Sequence, residues 1–399
     1  MSRRDLFDVV VAGAGIVGSA AALALARDGL RVAIVEPRAP VPWRADAPDL
    51  RVYALAQDNI ALLDNLGVWK DIAPHAQPYR AMRVWDAAGG GTLRFDAQRY
   101  GRDALGWIVE HGLVADRLWT ALQDAGVAVH CPQRIAGIAG IESAEAGDKS
   151  DTVSLMLDDH GVLRTKLAIA ADGVDSPLRT MAGIGVVRHD YGQRGVVAYV
   201  ETELPHEATA WQRFLPTGPL AFLPYRDGRS SIVWTLPDAE ATRVLALDDA
   251  AFCAELTRAF DATLGDVVAV SQRAAFPLRR QIAERFVEGR IALCGDAAHA
   301  VHPLAGQGLN IGLRDVIALR KTIGDAIERR IDFASPHRLA RWQRERRSES
   351  ATAAYTFDGI NRLFSNAAPL PTLARGHLLG VAGKIPGLDA LLWKRAAGL

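Results

Sequence analysis

The sequence predicts an α/β fold built from a parallel-sheet domain, a second sheet inserted into it, and a helical carboxyl-terminal region. Three observations carry this reading. Residues 7–36 read strand, glycine-rich turn, helix and strand, the βαβ unit of a parallel sheet. The stretch from Gly195 to Pro237 is dense in short apolar strands with no helix between them, as a separate sheet requires. From Leu313 onward the pattern is mostly helical. The expected boundaries are 1–75, 101–182 and 275–330 for the first domain, 76–100 and 183–274 for the insert, and 331–399 for the helical end.

The elements follow in order. Phe7 to Ala12 is a short buried strand, Ser19 to Asp28 an alanine-rich helix ended at Gly29, and Arg31 to Glu36 the second strand, closed by Pro37. Ala56 to Leu66 is a helix stopped by Gly67. Alternating apolar positions at Met82, Val84, Leu93 and Phe95 around Gly89-Gly90-Gly91 predict a hairpin. Ala115 to Asp124 is helical and Val127 to Val129 begins another strand. Thr152 to Leu157 and Val162 to Ala170 flank Asp158-Asp159-His160-Gly161, a hairpin turn. Strands are expected at Val196 to Val200, Ala221 to Leu223 and Ser231 to Thr235.

A chain of 399 residues can bury a large core in more than one domain. Lys+Arg and Asp+Glu both number 46, so no global field favours nucleic acid. Cys131, Cys253 and Cys294 lie far apart, with no CxxC pair; reduced thiols are expected, with Cys294 a small buried strand residue. No metal-ligand pattern is assigned. Asp8 and the glycines from Gly13 interrupt the first apolar run too early for a signal peptide, and no run approaches the roughly 20 apolar residues of a spanning helix. A cytoplasmic protein is expected, or one lying against the inner face of a membrane.

Three motifs carry chemistry. In Gly13-Ala14-Gly15-Ile16-Val17-Gly18 the first glycine makes a tight turn and the second lets the backbone approach a pyrophosphate. The third brings helix and strand together, with the helix N-terminus facing the phosphates. Glu36, at the end of the second strand, is placed to take both ribose hydroxyls. These features make the domain Rossmann-like. Arg38 could mark a 2′-phosphate site but reads better as solvated. Asp172-Gly173 follows the apolar strand Leu167 to Ala170; alone it is a common turn dipeptide, while Asp175-Ser176-Pro177 reads as a helix cap with Pro near the first helical position. The third motif, Gly295-Asp296 to Asn310, follows the strand Arg290 to Cys294 and leads into a helix. An aspartate there can accept hydrogen bonds from a polyol chain, and the glycines bring backbone N–H groups close to a ligand. The first and third motifs together describe one flavin held from both ends.

With these residues in view, the chain resembles the p-hydroxybenzoate-hydroxylase-like, single-component FAD monooxygenases, and within them the ubiquinone-biosynthesis hydroxylases. The resemblance covers nearly the whole chain. It includes Arg51 to Leu55, Leu66 to Trp69, Val84-Trp85-Asp86, Ile108-Val109-Glu110, Phe214 to Ala221, Ala298 to Gly308 and Leu363-Phe364-Ser365. His111-Gly112 departs from it, because family members often carry asparagine after the glutamate.

The resemblance implies FAD as cofactor and NAD(P)H as transient reductant, consistent with the absence of a second glycine fingerprint. It implies that Glu36 binds the adenosine ribose, Arg51 approaches the cofactor, Asp172 lies by the pyrophosphate and the reductant's path, and Asp296 binds the ribitol. Pro303 to Gly308 would line the flavin ring. The N–H groups of Gly306, Gln307, Gly308 and Leu309, with Asn310 beside them, would face its N1–C2 region, where a helix N-terminus stabilises the negative charge of reduced flavin. The implied reaction runs through a flavin C4a-hydroperoxide, shielded from water, that oxygenates an electron-rich ring. The implied substrate is a prenylated phenol or quinol, hydroxylated at C5 on the pattern of Val84 to Asp86 and Phe95 to Gln98, with C6 close behind. His302 is the titratable group in the flavin-facing segment that could serve as base, or it is an ordinary packed histidine; His299 reads as capping or packing.

Other features are more ambiguous. Trp211 and Trp234 could line a substrate pocket or pack in the core. Arg341 to Arg347 reads as a solvated helix face. Residues 361–399 interleave basic and apolar side chains and could rest on a membrane holding a prenylated substrate, or dock on the protein's own helices. A hydroxylase of a soluble aromatic acid would need a carboxylate anchor such as Arg213 or Arg226. A non-catalytic subunit of a quinone-synthesis complex is the third reading.

Overall fold

The computed structural model describes residues 6–87, 92–139, 151–301 and 307–364. Its first layer is a sheet whose middle is parallel. The strand β1 (Leu6–Ala12) lies between β2 (Val32–Val35) and the strand Val162–Ala170. Ala128–His130 extends the sheet beyond β2, and Ile291–Leu293 extends it beyond Val162–Ala170, all in parallel. The run Val9-Val10-Val11 has no exposed surface, as expected of a strand covered on both faces.

The helix α1 (Ile16–Arg27) covers one face and buries nine residues from Ile16 to Leu25. It begins three residues earlier than the sequence pattern indicates. Gly18 looks like a helix breaker, yet it sits inside the first turn. A Cβ there would come within 2.0 Å of the Gly13 carbonyl oxygen, so only glycine lets the helix lie this close to the turn.

The register fixes the functional edge. Ala12 is opposite both Val35 and Ala170, and Ala170 is opposite Leu293. The residues that follow, Gly13, Glu36, Asp172 and Asp296, therefore leave the sheet at one edge, the carboxyl ends of its parallel strands. Ligands of open α/β sheets bind at that edge.

The second sheet holds nine strands among the described residues. Its long member, Val186–Thr202, pairs antiparallel with Ser230–Pro237 on one side and Ala274–Ala283 on the other. Gly218–Pro224, Thr209–Leu215, Ala81–Asp86 and Thr92–Asp96 continue it. The last two form the expected hairpin, with Met82 opposite Phe95 and Val84 opposite Leu93; its glycine turn lies outside the described residues. Because Ala274–Ala283 is bonded along its length to Val186–Thr202, the second sheet runs past position 274, where the sequence pattern ended it. A small third sheet joins Val52–Leu55, Gly106–Glu110 and Gln77–Tyr79.

Two helices close the described chain, Gln307–Glu328 and Pro336–Phe364. They bury Leu313, Leu319, Ile323, Leu339 and Trp342 against the parallel sheet's core. Among the described residues no helix is long and apolar enough to cross a membrane. Residues 365–399, most of the segment suggested for membrane contact, lie outside the described residues.

Candidate active site

The glycine turn after β1 shapes the first part of the site. Gly13 has φ +92°, and a Cβ on it would meet the Ala171 carbonyl oxygen at 2.5 Å, so the first motif is pressed directly against the second. Gly15 caps α1 with ordinary backbone angles, and nothing lies within 4 Å of where its Cβ would be. The first N–H groups of the helix have no intrahelical partner, and the space beside Gly15 is open. Glu36 closes this corner. Its Oε2 accepts the Ala14 N–H at 2.6 Å and its Oε1 accepts the Arg38 N–H at 3.0 Å. The Arg38 side chain is exposed.

The second motif ends in a capped turn. Ser176 Oγ accepts the Arg179 N–H, and Asp172 Oδ2 accepts the Leu178 N–H at 3.0 Å. Asp172 Oδ1 is buried with no hydrogen-bond partner among the described residues, and burial pushes the carboxyl above its ordinary range. Arg179, itself buried, donates through Nη1 to Val174 O at 3.0 Å and to Ala297 O at 2.9 Å. One guanidinium thereby ties the second motif to the third.

Asp296 presents exposed surface, yet protein surrounds it and raises its carboxyl pKa, with His299 and Arg279 pulling the other way. The Tyr53 hydroxyl, pushed up to about 12 by burial and then by the charge of Asp296, lies within electrostatic reach of that carboxylate. Tyr53 Oη lies 3.2 Å from His111 Nδ1. Arg51 is paired with Asp49 at 3.4 Å, half exposed, and its carbonyl accepts the His111 N–H at 2.9 Å. His111, the departure from the family pattern, therefore joins Tyr53 to the Arg51 loop.

Behind Asp296 lies a buried cluster. Asp315, in the helix Gln307–Glu328, has no exposed surface; its Oδ2 accepts the Gly295 N–H at 2.9 Å and lies 2.6 Å from His299 Nε2. Its Oδ1 accepts Nε of Arg346 at 2.7 Å, and Arg346 also pairs with Glu349. Asn310 is likewise internal. Its amide bonds the Ala56 N–H, the Asn59 side chain and Ala54 O at 2.8–2.9 Å, so the side chain fastens the helix to the strand Val52–Leu55 instead of facing a cofactor. Leu309 is buried beside it. His302, Pro303 and Gly306, and the side chain of Gln307, lie outside the described residues.

Open space beside Gly15 at a helix N-terminus, the Glu36 carboxylate across the same turn and an orphaned buried oxygen on Asp172 together fit an elongated dinucleotide laid along the sheet edge. The sequence pattern of the FAD binding domain family matches residues 7–356. Ubiquinone hydroxylase UbiL of Rhodospirillum rubrum is 36% identical over 100% of this chain and 91% of its own length. The 3-demethoxyubiquinol 3-hydroxylase of Escherichia coli is 35% identical over 98% of both. The chain belongs to the FAD-dependent ubiquinone-hydroxylase family.

The fold of this hydroxylase is also that of solved structures. The p-nitrophenol 4-monooxygenase PnpA of Pseudomonas putida superimposes with TM-score 0.73 at 19% identity, covering 98% of this chain and 99% of that one. An HpxO variant of Klebsiella pneumoniae complexed with FAD does so with the same score, identity and coverage. The hydroxylase is an FAD-dependent monooxygenase.

Several groups at its site escape the sequence pattern. Arg346 falls in the run read as solvated; Arg341, Arg344 and Arg347 are exposed as expected, but Arg346 is only 2% exposed because Asp315 holds it inside. Asp315 gives no local signal at all, since its partners lie 16, 20 and 31 positions away. Arg179 offers one weak signal, its place in the turn after Asp172. His299, expected to cap or pack, packs against Phe286 and bonds Asp315.

Proposed function

We propose that this monooxygenase hydroxylates the ring of a prenylated phenol or quinol in ubiquinone synthesis, using NAD(P)H and O2. The observation that carries this reading is end-to-end similarity to relatives named as ubiquinone hydroxylases. The chemistry supplied when FAD is bound is hydride acceptance from NAD(P)H and O2-dependent oxygen transfer to an electron-rich ring. We assign Glu36 to the adenosine ribose, the amides beside Gly15 and the Asp172 region to the pyrophosphate, Arg51 to the neighbouring wall, and Asp296 to the ribitol. On the sequence pattern, Pro303 to Gly308 line the flavin ring, N–H groups of the Gly306 to Leu309 turn face its N1–C2 region, and His302 receives the phenol proton.

The inserted sheet supplies the substrate side. Trp234 is buried, while Trp211 meets Trp85 edge-on at 6.3 Å, so both belong to its packed core. Arg213 and Arg226 donate to the carbonyls of Ala259 and Ala45, which weakens the reading that either anchors a soluble aromatic acid. The pattern behind a C5 preference is engaged in structure: Trp85 packs on Phe260, and Asp96 caps Gln98. We retain C5 with C6 as the alternative. Membrane contact through residues 361–399, and association with a quinone-synthesis complex at the inner face of the membrane, complete the proposal.

Mass spectrometry of quinone-pathway lipids in a host lacking this gene tests it. A prenylated intermediate missing one ring oxygen supports the reading and names the carbon. An unchanged ubiquinone pool in a host without a redundant enzyme overturns it.

A further inference from the structure

We infer that Arg346 and Asp315 are positioning residues for the cofactor, and that the helix Pro336–Phe364 sets FAD affinity through them. The argument begins at the third motif. Asp296 can meet the ribitol only if the turn around it holds one shape, and two hydrogen bonds fix that turn from behind: the Gly295 N–H and His299 Nε2 both reach Asp315 Oδ2. A carboxylate with no exposed surface keeps its charge only with strong partners. His299 and Arg346 supply them and hold the Asp315 carboxyl below its ordinary range in spite of burial, which alone would raise it.

Arg346 is the member of this cluster that belongs to a different helix. Its Nε meets Asp315 Oδ1 at 2.7 Å, one Nη donates to Ile311 O at 3.4 Å, and Glu349 balances its charge from the next turn. It thus braces the helix Gln307–Glu328 at two points. One turn earlier Gly312 packs so close to the motif that a Cβ would come within 3.1 Å of Gly295 Cα and 2.9 Å of Val17 Cγ2. A shift of the Asp315 helix is therefore passed directly to Gly295 and to α1. The path runs from Arg346 to Asp315, to Gly295 and His299, and so to Asp296.

This inference rests on the assignment of Asp296 to the ribitol, which Asp296→Ala tests by itself: FAD lost with the fold retained upholds that assignment. The measurement is the FAD dissociation constant of the apo-protein, with the visible circular dichroism of the bound flavin and the melting temperature of each variant. Arg346→Met is expected to weaken FAD binding at least tenfold and to alter the flavin dichroism. Arg346→Lys recovers part of both, because an ammonium keeps the charge but not the two-point brace. Leu339→Ala, a fully buried core position on the same helix seven residues before Arg346, is expected to lower the melting temperature while leaving affinity within twofold and the dichroism unchanged. If Arg346→Met does not fold, Asp315→Asn/Arg346→Met removes both buried charges at nearly constant volume and is read in its place. Unchanged FAD affinity in the folded Arg346 variant overturns the inference, as does an equal loss in Leu339→Ala. Unchanged affinity in Asp296→Ala overturns the underlying assignment instead.

Discussion

The Tyr225 hydroxyl donates to Glu110 Oε1 at 2.5 Å, joining the inserted sheet to the strand that leads into helix His111–Asp124. Glu110 has no exposed surface, and its other oxygen accepts Nε1 of Trp43 and the Asp49 N–H, each at 3.0 Å. Tyr199 adds a bond from its hydroxyl to Asp49 O at 2.7 Å. The loop before Arg51 is thereby clamped between two sheets by one carboxylate and two phenols.

Tyr225→Phe is expected to destabilise the protein by about 2 kcal/mol, the usual worth of a hydrogen bond to a charged group. Urea unfolding measures it. A change under about 0.5 kcal/mol would mean that Trp43 and Asp49 satisfy Glu110 without the phenol.

Gly13 and Gly15 should separate folding from binding. Gly13→Ala forces a Cβ onto the Ala171 carbonyl at a positive φ and should yield little folded protein. Gly15→Ala places its Cβ in open space at ordinary angles, so the apo-protein should melt where the parent does while FAD titration shows weaker binding. Equal FAD affinity in Gly15→Ala would remove this turn from the cofactor site.

Asn310→Ala should cost about 3 kcal/mol, since it strands the Ala56 N–H and Ala54 O in the interior and leaves the Asn59 amide only its bond to the Asn310 main-chain carbonyl. Thermal unfolding of the apo-protein reads it directly. A stability loss seen only with FAD bound would return Asn310 to the cofactor.

His111 gives the molecule an acid sensitivity. Burial, then the charge of Arg51, lowers its pKa to about 4 against the ordinary 6.5. The unfolded chain takes up this proton as pH falls below about 6.5, whereas the folded protein resists until near 4. The stability contribution is therefore complete above about 6.5 and is lost as pH falls through that window. It amounts to about 1–3 kcal/mol, discounted because the ring is partly solvated. His111→Gln should flatten melting temperature against pH between 7 and 5; an unchanged slope would assign it to other groups.

What the sequence disclosed were local patterns. The βαβ unit, the Ser176 cap and the strand pairs Ala81–Asp86 with Thr92–Asp96 and Val153–Leu157 with Val162–Ala170 depend on neighbours close in sequence, so composition and period reveal them. Helix starts were blurred where glycine serves packing, as at Gly18. The cofactor's expected contacts were legible because each follows a strand. The supports behind them were not. Asp315 meets Arg346, and Glu110 meets Tyr225 across 115 positions, by pairings that only the tertiary fold creates. Nor does an arginine in a run of arginines reveal that it alone is buried.

The row formed by Val35, Ala12, Ala170 and Leu293 crosses three inter-strand gaps, roughly 14 Å at the usual sheet spacing. Each cofactor contact proposed on that row emerges where its strand stops. Adding one residue to any of the four strands would move the residue that follows it about 3.3 Å outward and turn the next side chain to the opposite face. Natural drift in this enzyme should thus tolerate exchanges of Val, Ile and Ala within these strands while rejecting insertions and deletions, and length changes should collect in the connections on the far side of the sheet.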